Sequence, residues 1–270
     1  MADLRAALEA ALGPIYRVER EVRPVGECRM FVASEVPSGP ELVVKVLPGK
    51  LSLAVNAGVF ERELLLLSDR LRHPGLVAPR SAGRAGAFIY HTRPFVEGTT
   101  LRALVTRSGE LPLRQAVAVL RDLLAGLAHA HAGRVAHGDL KPENVLLAEG
   151  RVLCADAGVV DAVERALDGA APGAATAALC AGTYLAPERR ERGAPAQAGP
   201  PDDMFALGVL AHEMLAGRPP APESEPLDEV RSLPGWLVEL VQRCLAPEPA
   251  ARWPDAAAAL ATVGRSGGAG

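Results

Sequence analysis

The 270 residues carry 49% apolar and 23% charged side chains, and 29 basic residues against 32 acidic ones leave a net charge of −3. That balance suits a folded soluble protein with a sizeable core and argues against disorder, while the missing basic excess argues against nucleic acid as a partner. No run of 18 apolar residues suggests a membrane span, and four scattered cysteines (Cys28, Cys154, Cys180, Cys244) without a CxxC read as reduced thiols of a cytoplasmic protein.

In chain order, residues 3–12 have the pattern of a short amphipathic helix ending at Gly13-Pro14. Short β-type runs follow at Tyr16–Val22, Met30–Val36, Glu41–Leu47 and Ala87–Thr92, with a helical stretch at Val59–Leu71 among them. Beyond Gly98 the pattern turns helical. Val117, Leu120, Leu124, Leu127 and His131 share one face of a helix over Leu113–His131, and Asp203–Leu215 is apolar almost all round, as a central buried helix would be. Between them, Asn144–Leu147 and Val152–Ala155 read as a hairpin turning at Glu149-Gly150. The alanine-rich stretch 162–181 is expected to be a mobile loop and the one at 250–261 a helix. The expected division is an extension over 1–14, a β-rich lobe over 15–97, a helical lobe over 98–263 and a flexible tail over 264–270.

The strongest chemical signal is His137-Gly-Asp-Leu-Lys-Pro-Glu-Asn144. Pro142 forbids a simple helix, so Asp139, Lys141 and Asn144 can converge in one loop. A carboxylate to orient a hydroxyl, an ammonium to neutralise a moving phosphate and an amide oxygen for a metal ion together suit phosphoryl transfer. Asp156-Ala157-Gly158, at the end of a β run, offers a second metal-binding carboxylate before a sharp turn. A histidine metal site at His129, His131 and His137 is the weaker reading. Packing residues explain them better.

These motifs resemble a protein kinase, most closely the bacterial Ser/Thr kinases of the eukaryotic type, over roughly residues 15–262. The resemblance continues through Gly182-Thr-Tyr-Leu-Ala-Pro-Glu188, the helix opening at Asp203 and Pro247-Glu-Pro-Ala-Ala-Arg252. It implies an α+β, two-lobed kinase-like fold with a small β-rich N-lobe and a larger helical C-lobe. It also implies ATP and Mg²⁺ as cofactors and a protein substrate or signalling partner. By the resemblance, Asp139 is the catalytic base, Lys141 contacts phosphate, and Asn144 and Asp156 hold the metal. Lys45, in Leu42-Val-Val-Lys45, would grip the nucleotide phosphates with Glu63 as its partner, and Val22, Met30, Val43 and Leu146 would line the nucleotide pocket. Thr183 would brace the catalytic loop, Asp203 would anchor its backbone, and Arg252 would form a buried pair with Glu188.

Several positions depart from the family pattern. The three expected loop glycines fall on Arg23, Val25 and Cys28, so phosphate cradling there should be weak. Val43 narrows the adenine side of the pocket. Arg93 stands where the back of the pocket is usually closed, and must turn outward or pair with an acid. Ala157 replaces a core Phe and Gly138 an Arg. Thr176 is the one hydroxyl between Gly158 and Cys180, so an activation-loop phosphate switch is expected to be absent or minor. An active Ser/Thr protein kinase is the leading expectation. A pseudokinase serving as a binding or scaffold module is the alternative, and a small-molecule phosphotransferase a lesser one.

Overall fold

The structure, a computed structural model, describes residues 4–13, 16–191, 197–221 and 227–266. Helix α1 (Leu4–Leu12) lies against a five-stranded antiparallel sheet of β1 (Tyr16–Val25), β2 (Cys28–Glu35), β3 (Glu41–Val46), β5 (Ser81–Ala85) and β6 (Phe88–Pro94), in the spatial order β1-β2-β3-β6-β5. Leu4 and Leu8 of α1 close one face over Val18, Phe31, Val44 and Tyr90. Alternation along the strands sends the opposite set, including Lys45 and His91, toward the second lobe.

Between β3 and β5 come α2 (Gly49–Ala54), α3 (Ala57–Arg70) and the short β4 (Leu76–Val77). Asn56 starts α3 by accepting a hydrogen bond from the Val59 N–H at 3.1 Å, an N-cap of the usual kind. The second lobe comprises β7 (Thr99–Thr100), α4 (Leu101–Ser108), α5 (Leu113–Ala132), a 3₁₀ turn over Pro142–Asn144, β8 (Val145–Ala148) and β9 (Arg151–Ala155). After these come α6 (Val159–Arg165), α7 (Ala174–Leu179), α8 (Pro187–Arg190), α9 (Pro200–Ala216), α10 (Leu227–Val230), α11 (Gly235–Cys244) and α12 (Ala256–Ser266). Helix α9 is buried from Asp203 to Leu215, with Pro200 and Pro201 opening it and Gly217 ending it at φ 73°. No helix among the described residues is long and apolar enough to cross a membrane.

Three sequence expectations change. The strand expected over Tyr16–Val22 runs to Val25, and its partner begins at Cys28 rather than Met30. Gly26-Glu27 thus forms a two-residue turn between the paired Val25 and Cys28. Short β5 lacks strong alternation and was not anticipated. The stretch 162–181 holds much of α6 and all of α7 instead of an open loop. Glu164 makes the second helix possible: its carboxylate accepts from the N–H groups of Gly173 (2.6 Å) and Ala175 (2.8 Å), as an N-cap residue would.

Two charged anchors fix the second lobe. The Asp203 carboxylate, inside α9, accepts from the backbone N–H groups of His137 (2.6 Å) and Gly138 (2.9 Å) and meets His131 Nε2 at 2.8 Å. Arg252 is wholly buried and forks onto Glu188 at 2.7 and 2.8 Å while donating to the carbonyls of Ala246, Pro201 and Pro247. Every donor is used, so truncation strands a carboxylate and three carbonyls. Arg252→Ala should lose about 3–5 kcal/mol of stability. Arg29→Ala, at the exposed pair with Glu21, should lose less than about 1 kcal/mol. Urea unfolding midpoints of the two variants measure the contrast.

Candidate active site

Strand register builds the small-lobe wall. Val22, Met30, Lys45 and His91 stand opposite one another across β1, β2, β3 and β6, and Val43 faces Arg93 one pleat away. Directly opposed residues of antiparallel strands share a sheet face, as do residues two apart along one strand. Lys45, His91 and Arg93 are therefore delivered to one face by the pairing alone.

The large-lobe wall comes from the loop after α5 and the end of β9. Asp203 pins that loop, and Asn144 Nδ2 then donates to the Asp139 carbonyl at 2.8 Å and to its Oδ2 at 3.2 Å. Lys141 Nζ meets Asp139 Oδ2 at 2.5 Å and the Leu179 carbonyl at 3.2 Å. Asp156 sits at φ 66°, and Gly158 follows at φ 73°. A Cβ on Gly158 would come within 2.8 Å of a Leu67 methyl, so both conformation and space require glycine there.

The walls meet at Asp156. Its Oδ2 bonds Lys45 Nζ at 2.8 Å and its Oδ1 lies 3.5 Å from Arg93 Nε, all three side chains being over 90% buried. Burial alone would raise the Asp156 pKa, but the two cations outweigh it and hold the carboxyl well below the usual carboxylate range. The same balance, burial opposed by Asp156, keeps Lys45 protonated. His91 has no hydrogen-bond partner on either ring nitrogen, and burial pushes its pKa down to about 4, so its ring is neutral at pH 7.

Lys45, Asp139, Lys141 and Asp156 thus line one cleft with Cys28, His91 and Leu179, and Asn144 reaches it through Asp139. Glu63 is not brought there. Its carboxylate binds Arg165 Nη1 at 2.9 Å, because α6 packs against α3 and the segment behind it is tied to the small lobe. Asn56 N–H donates to the Ala166 carbonyl at 2.8 Å, and Asp168 N–H to that of Ala54 at 3.0 Å. Thr183 is exposed and is not among the contacts of the catalytic loop. The Leu179 carbonyl and Cys180 Sγ, 3.4 Å from the Gly138 carbonyl, occupy that role. Leu146 packs in a small cluster with Val77, Ala148, Leu153 and Ala155. Val22, Met30 and Val43 share the sheet face but do not line the cleft around Lys45.

Three contributors escaped the sequence motifs. Arg165 and His91 have no motif of their own. Arg102 of α4 bonds Glu143 (2.7 Å), Glu213 (2.5 Å) and the Tyr184 hydroxyl (2.6 Å), joining the catalytic loop to α9 and the segment before α8. Such long-range partners carry no local signature.

The cleft's chemistry suits a polyphosphate: Lys45 and Lys141 line it with Asp139 and Asp156, His91 adds ring nitrogens without a hydrogen-bond partner, and Arg93 reaches Asp156 from outside that lining. The donor set also fits Mg²⁺, a carboxylate from Asp156 and the amide oxygen of Asn144, its Nδ2 being spent on Asp139; water and phosphate would fill the other positions. Free space at the centre is about 10 Å³, room for roughly one water molecule. A ligand larger than water enters only if the walls separate.

Comparison with known proteins agrees with this geometry. The protein kinase domain family model matches residues 26–261. The serine/threonine-protein kinase PknL of Mycobacterium tuberculosis is 35% identical over 276 residues, covering 95% of this chain and 67% of PknL. PrkC of Bacillus subtilis, also a serine/threonine-protein kinase, is 28% identical over 209 residues, covering 76% of this chain and 31% of PrkC. The chain therefore spans about two thirds of PknL and under a third of PrkC. In fold it is similar to the crystal structure of the M. tuberculosis PknI kinase domain, with a TM-score of 0.72 at 22% identity over 94% of this chain and 96% of that one. On the matched domain and the motifs it contains, this chain belongs to the protein kinase family.

Proposed function

We propose that this chain transfers the γ-phosphoryl group of ATP to serine or threonine hydroxyls of a protein substrate. The observation that carries the reading is the joining of the Asp139–Lys141–Asn144 cluster to the Lys45–Asp156 pair in one buried cleft between the lobes.

Each residue has a task its surroundings support. Asp139, held by Lys141 and Asn144, accepts a hydrogen bond from the attacking hydroxyl and takes its proton as the new P–O bond forms and the bond from the γ-phosphorus to the bridging oxygen breaks, releasing ADP. Lys141, already beside Asp139, stabilises charge on the moving phosphoryl group. Lys45 exchanges part of its contact with Asp156 for the phosphates behind the reacting one. For the transfer step Mg²⁺ would be held by Asn144 and by Asp156 once that carboxylate has let go of Arg93, and there it would offset negative charge on the phosphates. The β1–β2 pairing closes at Val25–Cys28 around the two-residue Gly26-Glu27 turn, with no run of glycines to bring backbone N–H groups against phosphate, which favours a raised KM for ATP.

The conformation described is a closed resting one. Glu63 engages Arg165, and α6 with residues 166–168 holds α3 in that position. Turnover requires α3 to bring Glu63 toward Lys45. Thr176 is buried and accepts a hydrogen bond from Arg189 at 2.9 Å, so phosphorylation there is a poor candidate for the trigger.

Transfer of label from γ-labelled ATP to a serine- and threonine-containing acceptor tests the activity directly. Asp139→Asn should lower kcat by about 10²–10⁴-fold, the range for removing a general base. Label transfer unchanged by Asp139→Asn would remove the proposed role. The Glu63–Arg165 pair is half exposed, worth under about 1 kcal/mol, so Arg165→Ala should raise kcat/KM for ATP by no more than about fivefold. A fall would show that the pair supports activity instead of restraining it.

A further inference from the structure

Arg93 is an unusual side chain to bury beside a cleft that must admit a metal–nucleotide complex. It stands on the cleft face of β6, two residues from His91 and opposite Val43, and is 94% buried. Its Nη1 donates to the Pro94 carbonyl at 3.3 Å, and its Nε lies 3.5 Å from Asp156 Oδ1 without a completed hydrogen bond. A guanidinium cannot shed its proton in a protein, so its charge is permanent. Asp156 is therefore flanked by two fixed cations, one on each oxygen.

The local charge follows directly. Lys45, Arg93 and Lys141 contribute +3, Asp156 and Asp139 contribute −2, and His91 is neutral, leaving +1. A polyphosphate is attracted to such a cluster without help. A divalent cation must instead displace a guanidinium from a desolvated carboxylate and approach a net positive charge. Arg93 Nε, a donor without a partner, and the single N–H of the neutral His91 ring are what an arriving phosphate oxygen would satisfy.

We propose that Arg93 takes the place of a divalent cation beside Asp156, so that this chain binds nucleotide with little dependence on Mg²⁺ and Arg93 sets that dependence. The inference rests on the kinase reading above, since it concerns the same nucleotide site. It makes Arg93 a specificity-determining residue for the form in which the nucleotide is held, free or metal-bound.

The test is calorimetric titration of the whole chain with ADP, in excess Mg²⁺ and in EDTA, for wild type, Arg93→Lys and Arg93→Met. Wild type should bind with Kd values within about threefold of each other in the two conditions. Arg93→Met should lose about tenfold or more in EDTA and recover most of it with Mg²⁺, the scale set by one desolvated charge touching an anion. Arg93→Lys should stay close to wild type. If wild type itself loses tenfold or more in EDTA, or if Arg93→Met keeps the wild-type ratio, the proposal is overturned while the kinase reading stands. If no protein binds ADP in either condition, the nucleotide site itself is wrong and both fall. Cooperative thermal unfolding confirms that each variant is folded. Should Arg93→Met fail to fold, Arg93→Gln removes the charge at similar size, and the wild-type ratio alone already decides against the proposal if it is large.

Discussion

Asp156 is the point at which the two lobes are electrically joined. It comes from the end of β9, while both of its cations come from the small-lobe sheet, Lys45 from β3 and Arg93 from β6. A carboxylate this deeply buried is tenable only because the cations offset its desolvation, and the same is true of them in return. Removing Asp156 leaves two uncompensated cations, while removing either cation leaves the other to pair with it. The left-handed backbone at Asp156 and the glycine requirement at Gly158 follow from delivering that carboxylate to that place.

A second tier of charges supports the first without touching it. Asp203 fixes the backbone of the catalytic loop from within α9, Arg252 ties α8 to the approach to α12, and Arg102 joins the loop to α9 and Tyr184. These are buried or half-buried groups with several hydrogen bonds each, in contrast to the exposed pairs of the sheet edge such as Arg29–Glu21. The Asp139 loop and the polar ties of α3 to α6 are therefore built from different materials. The first uses desolvated charge networks. The second uses one half-exposed ion pair and a two-residue backbone bridge, contacts weak enough to exchange during turnover.

The helical segments α6 and α7 show how local signals can mislead. Residues 162–181 are rich in alanine and contain Gly169, Pro172 and Gly173, a composition that suggests a loop. Alanine is also the strongest helix former, and here the deciding contributions are non-local: Glu164 caps α7, and α3 covers α6. The hairpin at Gly26-Glu27 has the opposite history. The lack of phosphate-loop glycines was plain in the sequence, but strand pairing was needed to show that the chain closes as a two-residue turn with Cys28 facing the cleft.

The motifs point to the protein kinase family and the two-lobed fold, and they mark Lys45, Asp139, Lys141, Asn144 and Asp156 as the group expected to carry phosphoryl transfer. Phosphoryl transfer needs those residue types at fixed local spacings, and spacing survives in a linear reading. The sequence also showed that Arg93 had to find an acid or turn outward, since an unpaired buried guanidinium is too costly. Which acid it meets is a matter of packing between the lobes. Asp156 is 63 residues away in sequence, and the choice depends on how β6 and β9 face each other. The same holds for Glu63, whose local pattern marks it as a partner for Lys45 but whose carboxylate goes to Arg165. Helix packing sets which cation lies within reach, and a weak, half-exposed pair can be won by whichever neighbour the fold places nearest.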